Sequence, residues 1–251
     1  MSEDSSKIGC LYGIGVGPGD PELLTLKALK ALQSVPVICV PQASNQRDSY
    51  SLTIVKDYLK PEQEILRAPF PTDDADGAAR TWQEASKLVA ERLIKGQDVA
   101  FLTEGDPMLF STFSYVLTGV KELCPEAPVV IIPGISSVMA AAASSGESLV
   151  THGQKLAILP AAYGLEDLSE ATSNFDTVVL MKVSPIIVKT LADLEGLGLT
   201  AQSTYVRRVT TDREKVIRDV TEIKDEDLDY FSLLIVKANQ VKGNPPSPSD
   251  S

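Results

Sequence analysis

A chain of 251 residues, 43% hydrophobic and 23% charged, has room for one large or two ordinary globular domains, and its composition excludes a disordered or fibrous chain. A formal charge of −11 argues against generic nucleic-acid or anionic-membrane binding, which favours the opposite sign, so an anionic ligand would need a local basic patch. Three cysteines, Cys10, Cys39 and Cys124, lie far apart and form no C-x-x-C pair, which excludes a disulfide framework and predicts a reducing, cytoplasmic setting. The acidic start, Met1-Ser2-Glu3-Asp4, lacks the apolar core of a signal peptide. The longest apolar run, 128–143, is interrupted by Pro133-Gly134 and two serines and is short for a membrane span.

In chain order, residues 8–16 read as a strand running into a glycine-rich loop. The dinucleotide spacing G-x-G-x-x-G fails there in both registers, because Pro18 and Asp20 stand where the third glycine is needed. Asp20-Pro21-Glu22 predicts a helix start, with a carboxylate cap, a proline at the first position and an acid beside the positive end. Leu23, Leu24, Ala28 and Leu32 continue it as an apolar stripe. A strand at 35–40, a helix at 52–59, a strand at 64–70 and a helix with Trp82, Ala85, Val89 and Leu93 on one face follow, and Gly96 ends that helix before a strand at 99–103.

Gly105-Asp106-Pro107 then repeats the tripeptide Gly19-Asp20-Pro21, again between a strand and a helix, here predicted over 108–123. The alternation predicts a mostly parallel α/β sheet, and two such loops at strand ends can face one crevice beyond the carboxyl ends of the strands. Residues 124–128, Cys-Pro-Glu-Ala-Pro, read as a joint, giving an N-terminal α/β domain over 7–124 and a C-terminal one over 125–241. The second half reads as a strand at 129–132, a Pro133-Gly134 turn, an alanine-rich helix to 143, and strands at 156–160, 177–182, 203–209, 214–219 and 230–237. No helical pattern separates the last three strands, so they are expected to be antiparallel in a mixed second sheet. The polar Pro/Ser tail, 242–251, is expected to be disordered.

His152 is the only histidine, so a multi-histidine metal site is excluded, and its loop setting favours a local role. Ser136 begins a G-x-S-x-G elbow in Gly134-Ile135-Ser136, but Val138 replaces the final glycine, which favours a capping or ligand-facing serine. Asp73, Asp74 and Asp76 lack calcium-loop spacing and read as a solvated acidic loop. Asp106 carries two readings of equal weight: a helix cap alone, or a cap whose carboxylate and neighbouring amides also meet a ligand bearing hydroxyls and an ammonium. Arg67, Lys155, Lys182 and Arg207-Arg208 are candidate anion contacts, with a solvated face the reading for at least half of them.

Four stretches taken in this order, VGPGDPELLTLKALKAL (16–32), FLTEGDPMLFST (101–112), IIPGISS (131–137) and VVLMKV (178–183), resemble the tetrapyrrole (corrin/porphyrin) methylases. The likeness runs from about residue 8 to 237. It implies two α/β domains with a cleft between them, a kidney-shaped homodimer, and S-adenosylmethionine as methyl donor folded in the cleft. Carried over residue by residue, it assigns the donor to Glu104, Gly105, Asp106, Leu109, Ser136, Ser137, Met181, Arg208 and Val209, and turns Pro18 and Asp20 towards the tetrapyrrole. Within the family, the first two stretches, with Val40-Pro41-Gln42 and LAILPA (156–161), are most similar to the branch that methylates C20 of precorrin-2 or cobalt-precorrin-2. The uroporphyrinogen branch carries an Asp proposed as a base where this chain reads Val40-Pro41-Gln42, so no catalytic base is carried over. The competing readings are a sister methylase acting at another ring carbon and a non-catalytic sensor of adenosyl compounds. No metal ligand set is expected.

Overall fold

The computed structural model describes residues 7–42, 49–70, 75–161 and 168–239. The chain divides into two compact units, Met1–Ser137 and Val138–Ser251.

The first unit is a five-stranded, wholly parallel sheet: β1 (Leu11–Gly15), β2 (Val37–Gln42), β3 (Glu64–Pro69), β4 (Val99–Thr103) and β5 (Val129–Ile132), in the order β3-β2-β4-β1-β5. Four helices cover it: α1 (Leu26–Ser34), α2 (Tyr50–Val55), α3 (Ala75–Ile94) and α4 (Phe113–Leu123). Alternation of side chains along each strand builds two cores. Leu11, Cys39, Val99 and Phe101 pack with Ala85, Val89 and Leu93 of α3 and with Phe113, Val116 and Val120 of α4. Ile14, Ile38, Ala100 and Leu102 pack with Ala28, Ala31 and Leu32 of α1 and Ile54 and Val55 of α2 on the other face. The central strands β1, β2 and β4 are buried on both faces, which is why they read as nearly continuous apolar runs. β1 and β4 are neighbours, yet the helix after β1 covers one face and the helix after β4 covers the other. That divergence opens a crevice at their carboxyl ends.

The second unit is a mixed sheet in the order β6-β7-β10-β8-β9, built from β6 (Leu156–Pro160), β7 (Thr177–Met181), β8 (Ser203–Arg207), β9 (Lys215–Ile217) and β10 (Ser232–Lys237). β6 and β7 are parallel, while β8, β9 and β10 pair antiparallel as expected from the missing helices between them. One face packs on α6 (Leu168–Asn174) and α7 (Ile187–Leu197) through Leu168, Ile187 and Leu194; the other packs on α5 (Ser137–Ser145) through Val138, Ala140 and Ala141.

Three sequence expectations need correction. The joint at 124–128 lies inside the first unit, because β5 pairs with β1 and belongs to the first sheet; the compact units part between Ser137 and Val138. Asp20 caps only a 3-10 turn over Pro21–Leu23, and α1 begins at Leu26 under a Thr25 cap whose hydroxyl accepts from the Ala28 N–H at 3.1 Å. α4 begins at Phe113 rather than 108, since Asp106 holds the preceding residues in a turn and Phe110 has a left-handed backbone (φ 48°) incompatible with a continuing helix. Asp73 and Asp74 and the tail 242–251 lie outside the described residues.

Candidate functional site: two sets of strand-end loops

In the first unit the loops after β1, β4 and β5 meet at the crevice. Gly105 and Gly17 exchange backbone hydrogen bonds, the Gly105 N–H reaching Gly17 O at 2.8 Å, with Gly105 in the left-handed region (φ 64°). A Cβ on Gly15 would stand 2.5 Å from Gly105 O and 2.6 Å from Gly134 N, so three loops approach here only because the side chain is missing. Asp106 ties this meeting together. Its Oδ1 accepts from the Met108 N–H at 2.8 Å and its Oδ2 from the Gly134 N–H at 3.1 Å. Both partners are neutral backbone amides, and Asp106 makes no ion pair among the described residues, so a half-buried negative charge is oriented without a protein cation beside it.

The other assigned residues of this unit take distinct places. Ser136 and Ser137 lie against Gly105, their backbone atoms 3.6 and 3.8 Å from where its Cβ would be. Leu109 is half-buried in the turn after Asp106. Glu104 reaches sideways, its Oε1 accepting from the Ser51 N–H of α2 at 3.1 Å. Tyr50 donates its hydroxyl to Pro18 O at 3.3 Å, fastening the first loop to α2. Asp20 spends Oδ1 on the Glu22 N–H at 2.8 Å. Sequence reasoning missed Tyr50, Ser51 and the buried Thr103–Ser111 hydroxyl pair (2.8 Å), because no local pattern marks a contact that forms only when loops meet.

In the second unit the ends of β7 and β8 face the start of β10. Lys182, Arg208 and Thr210 all hold left-handed backbones (φ 58°, 46° and 65°), a costly state for residues with side chains that concentrates at functional sites. The conformations are pinned: the Lys182 N–H donates to Ser232 O and the Arg208 N–H to Phe231 O, each at 2.8 Å. The Arg208 guanidinium is already engaged, its Nε 2.7 Å from Asp229 Oδ2 and its carbon 4.8 Å from the Phe231 ring centroid. Val209 is buried in the core, so it offers a ligand backbone rather than side chain. Met181 closes β7 half-exposed. Sequence reasoning also missed Asp229, Tyr230 and Phe231, which have no motif of their own.

Other candidates fall away. His152 sits on an exposed turn. A polar hollow of about 290 Å³ at the opposite strand ends of the second sheet is lined by residues that include Glu147, Thr204, Arg218 and Lys237. Its cations serve the fold: Lys237 Nζ donates to Leu149 O and Thr177 Oγ1, and Arg218 to Ser145 O. Among the described residues there is no cluster of His, Cys, Asp or Glu able to hold a metal ion, and no helix long and apolar enough to cross a membrane.

One unit with a parallel sheet and glycine loops gathered at its switch point, and another with a mixed sheet and strained strand ends, define an α/β protein whose candidate chemistry lies in loops. The tetrapyrrole (corrin/porphyrin) methylase model matches residues 10–224, and the chain belongs to that family. It is 33% identical to the cobalt-precorrin-2 C(20)-methyltransferase of Salmonella typhimurium over 91% of this chain and 96% of that protein. It is 39% identical to the probable cobalt-precorrin-2 C(20)-methyltransferase of Methanocaldococcus jannaschii over 90% and 95%. Among solved structures it resembles uroporphyrin-III C-methyltransferase from Thermus thermophilus complexed with S-adenyl homocysteine, with a TM-score of 0.64, 24% identity, and 91% and 97% of the two chains covered.

Proposed function

We propose that the protein transfers a methyl group from S-adenosylmethionine to C20 of precorrin-2 or cobalt-precorrin-2, in the synthesis of the corrin ring. The relatives that carry the C20 name match along nearly their whole length. The observation that carries the reading is Asp106: a carboxylate oriented by two backbone amides, at the switch point, without a cation partner among the described residues. A carboxylate so oriented fits a donor bearing an ammonium, a sulfonium and ribose hydroxyls. In the first unit the residues proposed for the donor are Glu104, Gly105, Asp106, Leu109, Ser136 and Ser137, and in the second Met181, Arg208 and Val209; Pro18 and Asp20 are proposed to face the tetrapyrrole. Glu104 acts from a distance in this scheme, since its carboxylate is turned to α2.

Bound S-adenosylmethionine would supply an electrophilic methyl for the electron-rich C20, with S-adenosylhomocysteine as the leaving group and the ring's displaced proton released to solvent. The chain's part is to position both reactants, an effect that reaches roughly 7–11 kcal/mol of barrier in well-oriented systems. No residue is assigned as base. The free thiols Cys10, Cys39 and Cys124 fit a cytoplasmic setting. A homodimer is proposed as the working assembly, supported by exposed apolar side chains on the first unit, among them Met108 (57% exposed) and Phe110 (47%).

The test is anaerobic single-turnover transfer from labelled S-adenosylmethionine to precorrin-2, with and without inserted cobalt. A labelled trimethylated product with the new methyl at C20 by NMR is the expected result. Tight donor binding without transfer to either substrate would point to a sister methylase or a sensor.

A further inference from the structure

Three cations stand at the carboxyl ends of β7 and β8, and two of them face carboxylates. Arg207 reaches buried Asp227, with Nη2 3.8 Å from Oδ1, and Arg208 pairs with Asp229. Lys182 makes no ion pair among the described residues; its ammonium lies over the Tyr230 ring, 5.2 Å from the centroid, and that ring is 51% exposed. A cation held against an aromatic face keeps its charge available while losing part of its freedom.

The backbone beneath it is built to hold that position. Lys182 adopts φ 58°, where glycine would be free of strain, and its N–H is bonded to Ser232 O. The segment carrying Tyr230 is fixed in turn. Ser184 Oγ accepts from the Asp229 N–H at 2.9 Å and lies 2.9 Å from Ser232 Oγ, and Asp229 Oδ1 accepts from the Phe231 N–H at 2.9 Å. A side chain kept on a strained backbone next to Met181, pre-positioned by an aromatic ring and with no carboxylate partner among the described residues, has the features of a ligand contact rather than a structural staple.

We infer that Lys182 binds a carboxylate of the anionic substrate, with Tyr230 as its support. The assignment rests on the reading of the substrate as a polycarboxylate tetrapyrrole. The substrate's acid groups lie on its rim, and the Lys182–Tyr230 pair sits at the half-exposed edge of the strand ends. A chain of net charge −11 needs such cations to receive an anion at all.

The experiment uses the full-length protein and two unreactive probes, uroporphyrin III for its eight carboxylates and S-adenosylhomocysteine for the donor site. Affinities are measured for the wild type and for Lys182→Gln, Lys182→Arg and Lys182→Gly; the glycine variant removes the charge while relieving the backbone, so misfolding does not account for a loss. Uroporphyrin affinity is expected to fall about tenfold in the Gln and Gly variants, as for loss of one charge-assisted contact, and to stay within about threefold in the Arg variant. S-Adenosylhomocysteine affinity is expected to stay within about twofold throughout. Unchanged uroporphyrin affinity in the Gln and Gly variants, no uroporphyrin binding by the wild type, or an equal loss of S-adenosylhomocysteine affinity overturns the assignment, the last by giving Lys182 to the donor's own carboxylate. Lys182-dependent uroporphyrin binding in a protein that transfers no methyl to precorrin-2 would remove the C20 reading and leave the assignment standing.

Discussion

Asp106 serves both readings the sequence allows. It caps the turn after β4, and it also reaches across to Gly134, 28 residues on, so one carboxylate sets the spacing of two loops. Each amide loses its acceptor when the side chain is cut back, at about 0.5–1.5 kcal/mol for a hydrogen bond whose donor water can still reach. Asp106→Asn preserves an oxygen and the shape but removes the charge. Calorimetry with S-adenosylhomocysteine is expected to show a loss of about tenfold or more for Asp106→Asn and a larger loss for Asp106→Ala, with both variants folded by circular dichroism. Affinity equal to that of the wild type would take Asp106 out of the donor site. The Gly-Asp-Pro motif was legible in the sequence because a cap is a local device. The Gly134 contact was not, because nothing in the residues near 106 encodes what lies across the crevice.

At the scale of elements, the strands were the easier part to read. Each of β1 to β10 falls within or close to an apolar run, most fully in the central strands, since a strand covered on both faces must be apolar along its length. Helix starts were harder. Two capping signals, Asp20 and Asp106, open turns rather than α-helices, and the helices begin five or more residues later, at Leu26 and Phe113. The loop geometry at the crevice decides this, not the intrinsic preference of the capping residue.

A second buried carboxylate organises the antiparallel part of the second sheet. Asp227 accepts from Lys215 Nζ of β9 at 2.5 Å and from the Lys224 N–H at 3.2 Å, and its own carbonyl accepts the Tyr205 hydroxyl of β8 at 2.8 Å. The Lys215 hydrogen bond, reinforced by the Lys224 amide and the charges of Lys215 and Arg207, holds the Asp227 carboxyl below the usual carboxylate range against the opposing effect of burial. A depressed folded-state value means that the fold favours the ionised form. The stabilisation is therefore complete above the unfolded carboxylate value of about 4 and is lost as pH falls below it, through the folded value. Asp227→Asn is expected to lower stability by about 2–3 kcal/mol near neutral pH. In urea titrations the gap between variant and wild type should narrow as pH drops below about 4; a gap independent of pH would show that shape, not charge, is what Asp227 supplies.

At the scale of the molecule, the proposed homodimer is open to a direct check. Light scattering at micromolar concentration should give twice the mass of one chain; a single-chain mass over the whole accessible range would reject it. The exposed Met108, Phe110 and Tyr115 would then need another explanation. The sequence by itself determined the class of the two sheets, the apolar cores and the identity of the loops, because periodicity and turn chemistry are properties of neighbours along the chain. It also carried the family, through motifs kept in a fixed order. Only the tertiary structure decided that β5 completes the first sheet, that Asp106 joins two loops, that Glu104 faces α2, and that Arg207 and Arg208 pair with Asp227 and Asp229 while Lys182 makes no ion pair among the described residues. Those facts depend on which strands pair and which loops approach, contacts between residues far apart in sequence, and they exist only once apolar burial has brought the strands together.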